Sequence, residues 1–463
     1  MGKILFFVAA AVAVYAAPVL ALPQPRDRVY TADQISNTVS VINPVTNTLL
    51  GQIRLGNARP DIVSPLYKGE INVHGLGFSP DHRTLIAVST GSNSVTFIDT
   101  ATNTVKGTVY IGRSPHEGFF TPDGREVWVV VRGENYISVI DPATYRETGR
   151  IATTSGPGMV VFHPGGKYAY VCNSFNPVME VVDVAQRAVV KRIGVVSPFS
   201  PYLVMTPDQR EIWLTHKDAG KVTRIDAERL EVLGVFDTGF ITNHLHFAKT
   251  SKGVLVYVTV GGENVVKVFT ADAAPKLVAT IPVGALPHGI WPSDDGSRMY
   301  VGLENSDAVD VIDTDANRVV TRIPVGQAPQ ALVYVSGAVP QGAGNANLLP
   351  RPETPPNINI PLLPATGDAR GGVVVRNLGL VDAFEVNVFK LKPDTVYRVF
   401  LAERKEPLAV VKTNAKGMGT VTSIGPVKEI VSPLSKQSPE ASRILVMEGE
   451  TAPDTAKAAL TSR

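Results

Sequence analysis

Eight histidines occur in the 463-residue chain, and five fall at one level of a recurring pattern: His74, His116, His244, His246 and His288. His116 sits in "SPHEGFFTPDG" (114–124) and His288 in "LPHGIWPSDDG" (286–296), each a few residues ahead of an acidic turn. A neutral imidazole nitrogen donates to copper, iron, zinc or nickel without adding charge, so several can gather where as many carboxylates would repel. The five are therefore candidate ligands of a transition metal, copper or iron by preference, with zinc open. Four of them hold one position in four different units. His246, two residues past His244, shares its strand face. Glu117, Glu263 and Glu304 are the candidate catalytic carboxylates, as acceptors for the free ring nitrogens. Arg113 and Arg132 would draw an acidic ligand to a channel mouth, and Trp291, three residues beyond His288, would touch it. The competing reading is plainer: repeats copy residues by duplication, and histidines ahead of a strand can cap a loop with no metal at all. His82 and His163 read as turn residues. His216, at the end of a strand, reads as structural unless it reaches the channel.

The elements that must position these residues form a repeat. Positions His74, His116, Gly158, Pro201, His244 and His288 line up, Gln330 begins a seventh match, and the steps are 42, 42, 43, 43, 44 and 42 residues. So narrow a range marks a structural repeat. Each unit carries four short stretches rich in β-branched and aromatic residues, separated by Asp-Gly, Gly-Gly or Asn-containing breaks, as in "GFFTP", "EVWVVV", "NYISVIDPAT" and "RETGRIAT". Four antiparallel strands per unit is the pattern of a propeller blade. Before His74 there are three strand signals, and after the sixth complete unit "PQALVYV" (329–335) supplies one. Three plus one predicts a mixed blade and a closed ring of seven, an all-β propeller without an open sheet edge. An open solenoid would instead need polar caps, which these apolar ends are not. In a ring of seven, the first two histidine units face the fifth and sixth across the axis.

"YVTVGGENVVKVF" (257–269), "WVVVRGENYISVID" and "YTADQISNTVSVINPVTN" resemble the surface-layer repeat named for its Tyr-Val-Thr-Asn signature. The resemblance spans residues 26–335 and implies a secreted seven-bladed propeller. Related propellers include lactonases, haem-bearing nitrite reductase domains and copper-bearing nitrous oxide reductase domains. The repeated histidines depart from the minimal signature. Four histidines on a seven-bladed propeller also resemble, in architecture alone, the carotenoid- and stilbene-cleaving oxygenases, which hold iron(II) with four histidines.

The remaining segments bound the function. Residues 1–21, with Lys3 ahead of an apolar run and small residues near Ala21, read as a signal peptide, hence a periplasmic or extracellular location without a permanent membrane anchor. A single cysteine, Cys172, excludes an internal disulfide. A net charge of +2 with no basic block gives no support to nucleic-acid binding. Residues 336–365 are Pro-rich and read as a linker or a strap on the propeller. Residues 366–463 hold about six strand patterns and read as a small β-sandwich, loosely resembling secreted sandwich domains, with partner binding, dimerisation or shielding of a propeller face as its work. "TPDG", "TPDQ" and "SPDH" read as turn chemistry, their aspartates holding backbone amides. Two functional classes follow: a metal-dependent oxidoreductase or oxygenase on a small organic ligand at the channel, with a lactonase or lyase as variant, or a non-catalytic binding propeller.

Overall fold

The computed structural model describes residues 23–55, 71–378, 381–425, 443–449 and 453–462; the expected signal peptide lies outside them. Among the described residues no helix is long and apolar enough to cross a membrane. Seven four-stranded sheets form the propeller. Blade two runs through β4 (Val73–Phe78), β5 (Thr84–Ser89), β6 (Ser94–Asp99) and β7 (Thr104–Tyr110). Blade three begins with β8 (Pro115–Phe120) and β9 (Val127–Val131), and blade four with β12 (Pro157–Phe162). The innermost strands of blades five, six and seven are β16 (Leu203–Met205), β20 (Thr242–Thr250) and β24 (Pro287–Pro292). Apolar faces meet between blades: Ile86, Val88 and Phe97 of blade two pack on Phe120, Val127 and Val129 of blade three. This burial is the main force holding neighbouring sheets face to face.

Blade one is the mixed one. β28 (Pro329–Val335) pairs antiparallel with β1 (Arg28–Asp33), which continues into β2 (Thr38–Asn43) and β3 (Thr48–Arg54). Sequence-distant ends are thus joined by backbone hydrogen bonds. Asp33, fully buried at this seam, accepts from Thr31 Oγ1 at 2.6 Å, Thr38 Oγ1 at 2.9 Å and Ser40 Oγ at 2.6 Å. The acidic turns behave as turn chemistry: Asp81, Asp123, Asp208 and Asp295 each accept from a backbone amide two residues on. The position between those partners takes a positive φ, which is why it is Gly124 or Gly296 in two units; His82 adopts it too, at +63°.

Residues 336–357 strap the propeller. Gln52 and Leu349 exchange backbone hydrogen bonds of 2.8 and 2.9 Å, and Asn103 Nδ2 donates to Ala346 O. The last part of the expected linker is a strand, β29 (Ile358–Leu363). Its alternating Ile358, Ile360 and Leu362 are masked in the sequence by Pro355, Pro356, Pro361 and Pro364. The C-terminal domain is one eight-stranded sheet folded over a core of Val373, Phe384, Val386, Val399 and Val446. Its end strands β33 (Ala409–Lys412) and β34 (Gly419–Gly425) come together where Gly419 meets Val411 and Lys412, so the sandwich nearly closes. The chain end passes through a short 3-10 turn at Thr455–Lys457 into β36 (Leu460–Ser462), where Leu460 is buried against the sandwich.

Candidate metal and ligand site in the propeller channel

His74, His116, His244 and His288 open the innermost strands β4, β8, β20 and β24. Their rings follow one another around the axis: His116 to His74 at 4.3 Å between centroids, His74 to His288 at 6.2 Å, and His288 to His244 at 4.9 Å. Tyr202 stacks on His244 at 4.0 Å. The two pairs expected to face each other are therefore present, but the tightest convergence is not of four imidazoles. Among the described residues, the set whose donor atoms all lie within 4.8 Å is His74, His116 and Glu117.

Adjacent residues on a regular strand point to opposite faces, and Glu117 directly follows His116. A register shift between Pro115 and Gly118 in the pairing of β8 with β9 breaks that alternation. Such a bulge re-aims a side chain, and here it brings carboxylate and imidazole into one cluster. The same shift recurs at Val73/Gly75, Thr242/Leu245 and Pro287/Ile290, in the other histidine-bearing strands.

The hydrogen bonds set the tautomers. His116 Nδ1 donates to Gly158 O at 2.6 Å, so its Nε2 presents a lone pair toward His74 Nε2, 2.7 Å away. His74 Nδ1 has no hydrogen-bond partner. His288 Nδ1 donates to Glu304 Oε2 at 3.0 Å. Burial holds all four imidazoles well below the usual histidine range, helped at His74 by His288 and at His116 by Arg132. They are neutral, the form that ligates metals. Burial likewise pushes the Glu117 carboxyl well above the usual carboxylate range, against the opposing pull of the Leu76 amide and Arg132.

The other expected site residues divide. Glu304 supports His288. Arg132 lies in the channel, its guanidinium 5.6 Å from the Phe199 ring. Glu263 is elsewhere: in a short turn it pairs with Lys267 at 2.9 Å, because the loop after that strand folds back on its own blade. Arg113 is exposed and donates to Gly133 O at 2.8 Å, away from the cluster. His246 lies one step further along β20, about 6.6 Å of strand rise past His244, and packs on Trp291 at 4.6 Å. Trp291 touches His246 and Phe78. His82 ties its turn to the strap by donating from Nδ1 to Ser336 O, and His163 holds its own turn by accepting from the Gly165 amide. His216 is buried between Ser200 Oγ and Thr223 Oγ1. Cys172 is a buried thiol whose pKa burial pushes up.

Lys217 escaped the sequence reading, although Arg132, Lys217 and Glu304 share one repeat position, directly after β9, β17 (Glu211–His216) and β25 (Arg298–Leu303). Tabulating that position beside the histidine position would have exposed it. The sandwich, for which shielding of a propeller face is one of the three expected roles, sits over this end of the channel. Arg376 pairs with Asp307, Lys416 with Asp218, and Phe240 meets Phe389 at 4.6 Å. Between the domains lies a pocket of about 440 Å³, lined by Phe199, Lys217 and Glu304 from the propeller and by Glu385 and Phe389 from the sandwich.

Residues 124–332 match the YNCE-like beta-propeller family. No curated protein matches the chain significantly. Among solved structures, the hydrazine synthase of Kuenenia stuttgartiensis is similar with a TM-score of 0.52 at 22% identity, over 57% of this chain and 89% of that one. The periplasmic gluconolactonase of Pseudomonas aeruginosa gives 0.55 at 19%, over 67% and 99%. A functionally unknown protein from Desulfotomaculum acetoxidans gives 0.56 at 14%, over 66% and 98%. At these identities the likeness is one of fold.

Proposed function

We propose that this chain, a seven-bladed propeller of the YNCE-like repeat type, is an exported metalloprotein. Its channel binds one divalent transition-metal ion on His74, His116 and Glu117, and the ion's free side acts on a small molecule held in the interdomain pocket. The observation that carries this reading is the buried convergence of two neutral imidazoles and one carboxylate within 4.8 Å. Two histidines with a carboxylate are the donor set of catalytic zinc and of non-haem iron(II), with positions left for substrate. This favours iron or zinc over copper. Two nitrogens bonded to one ion at ~2.0–2.1 Å stand on the order of 3 Å apart when adjacent, close to the 2.7 Å separation of the two Nε2 atoms. A bound cation would offset the desolvation of Glu117 and hold it ionised.

When bound, such an ion supplies Lewis acidity toward a carbonyl or water oxygen. The chain supplies the rest. His116 is fixed in orientation by Gly158 O, and His288 by Glu304. Tyr202 covers His244, and the sandwich limits water entry from above.

A metal-free binding propeller has one observation in its favour, since His74 Nε2 can donate directly to His116 Nε2. Elemental analysis of full-length protein purified without added metal separates the readings. Near one iron or zinc per chain, lost in His116→Gln and in Glu117→Gln with circular dichroism unchanged, is expected. No metal in the native protein, together with no rise in melting temperature on adding Zn²⁺ or Fe²⁺, overturns the proposal.

A further inference from the structure

Arg132 and Lys217 are the two channel cations, and neither side chain has a hydrogen bond or ion pair among the described residues. They approach one ring, Phe199: Arg132 Cζ at 5.6 Å from its centroid and Lys217 Nζ at 5.9 Å. Both belong electrostatically to the histidine cluster. Arg132 depresses His74, His116 and His288, and Lys217 depresses His74, His244 and His288. Burial lowers the pKa of each cation as well, so each would gain from an anion.

Two carboxylates face the same space, and both are already engaged. Glu304 accepts from His288, and Glu385 accepts from Asn387 Nδ2 at 2.8 Å. They moderate the positive field around Lys217 without forming a contact pair with it. Above Phe199 the pocket walls are mainly apolar: Ile241 and Leu286 from the propeller, Phe389 and Met418 from the sandwich. The two unpaired cations therefore lie at the channel end, and the domain interface offers apolar surface beside polar groups of the sandwich, Glu385, Asn387 and the exposed Lys412 among them.

We infer that the pocket binds a small organic carboxylate with an apolar body, its acid group passing Phe199 to meet Lys217 and Arg132 and its body held between the two domains. The inference deepens the proposed metal-centre reading by naming the ligand class for that site. The two cations act as specificity residues that aim the acid end toward His74 and His116. A carboxylate held by charge-assisted hydrogen bonds from both cations is bound far better than its uncharged isostere. The pocket's volume, about 440 Å³, is within the range of small-molecule sites.

The test is titration calorimetry on the full chain with 3-phenylpropionate and its neutral counterpart, 3-phenylpropionamide, on metal-loaded and chelator-treated protein. The acid is expected to bind both forms, and at least about tenfold more tightly than the amide. Lys217→Met and Arg132→Met should each remove most of that preference, and Lys217→Arg should retain it. Equal binding of acid and amide, or no binding of either, overturns the inference, and this comparison needs no variant to fold. An acid preference that survives both methionine variants also overturns it. Acid binding in a protein that takes up no metal would sink the metal centre alone, whereas metal uptake without acid preference would sink the ligand class alone.

Discussion

Gly75 and Glu117 touch across the boundary between blades two and three: a Cβ on Gly75 would stand 2.8 Å from Glu117 Oε2 and 2.3 Å from His116 O. The first atom belongs to a side chain that can move, but the second is backbone of a paired strand. Gly75→Ala must therefore separate the two blades or displace the His116–Glu117 segment. Overpacking of this kind costs about 1–3 kcal/mol, to be read as a lower midpoint in urea. Bound metal should fall in the same variant. Unchanged midpoint and metal content would show that the seam yields freely and that Glu117 is not seated by Gly75.

Ring closure rests on the pairing of β1 with β28, and Asp33 gathers three hydroxyl donors there. Asp33→Ala leaves those hydroxyls without their acceptor in a buried seam, at a cost of about 1–3 kcal/mol for each group left unsatisfied. A melting temperature lowered by several degrees is expected, with Asp33→Asn milder because one acceptor oxygen remains. Deletion of residues 28–43 removes β1 and β2 entirely and should abolish the cooperative propeller transition. An intact transition in the deletion variant would mean that the ring does not depend on this seal.

Burial pushes the His216 and His246 imidazoles down to about 4. An unfolded histidine titrates near 6.5, so between about pH 6.5 and 4 the unfolded chain binds more protons than the native one. The stability these two contribute is full above that window and is lost as pH falls through it. Asp33, pushed up to about 7 by burial, works the other way: its native carboxyl keeps the proton, and its contribution declines as pH rises from about 4 to 7. Burial also depresses His74, His116, His244 and His288 and raises Glu117 and Glu385, so six imidazoles stand against three carboxyls and the net is an acid loss. His216→Gln removes one titrating group, and each such group is worth up to about 3 kcal/mol across the window. The fall in melting temperature between about pH 7.5 and about pH 5 should therefore be smaller in His216→Gln than in the native chain. An equal fall would place the acid sensitivity in other groups.

The repeat made the ring legible because one register governs every unit. A propeller repeats its burial pattern as faithfully as its length, and the closing arithmetic of three strands plus one needs only local strand signals. The same register revealed His74, His116, His244 and His288. It also offered Glu117, next to His116, as an acceptor for a free ring nitrogen, but not as a donor in one set with His74 and His116, because period-two alternation sends neighbouring residues to opposite faces and the bulge that undoes this leaves no composition signal. Glu263 and Glu304 look alike in "GGEN" and "GLEN". Only the fold separates them, since a three-residue 3-10 turn at Gly261–Glu263 gives Glu263 to Lys267. Lys217 and Glu385 become neighbours through domain docking, a relation between surfaces some 170 residues apart that no periodicity encodes.

Arg376 ties that docking to the site. Its guanidinium is 3% exposed, pairs with Asp307, and donates to the backbone oxygen of Glu304 at 3.1 Å, so the sandwich holds the loop whose carboxylate orients His288. Arg376→Met leaves Asp307 buried with only the Ala328 amide as a donor. Breaking a buried pair from one side costs about 3–5 kcal/mol, and the contacts that remain between the domains include the Lys416–Asp218 pair, the Phe240–Phe389 ring contact and the hydrogen bonds of Gln327 and Asn359. The sandwich should then loosen from the propeller, seen as a larger radius of gyration in solution scattering and faster proteolysis within residues 336–357. Adding Asp307→Asn removes the stranded charge while keeping an acceptor for Ala328, and should restore part of the loss. If Arg376→Met scatters and digests as the native chain does, the strap and the remaining surface contacts hold the domains, and Arg376 serves the Glu304 loop alone.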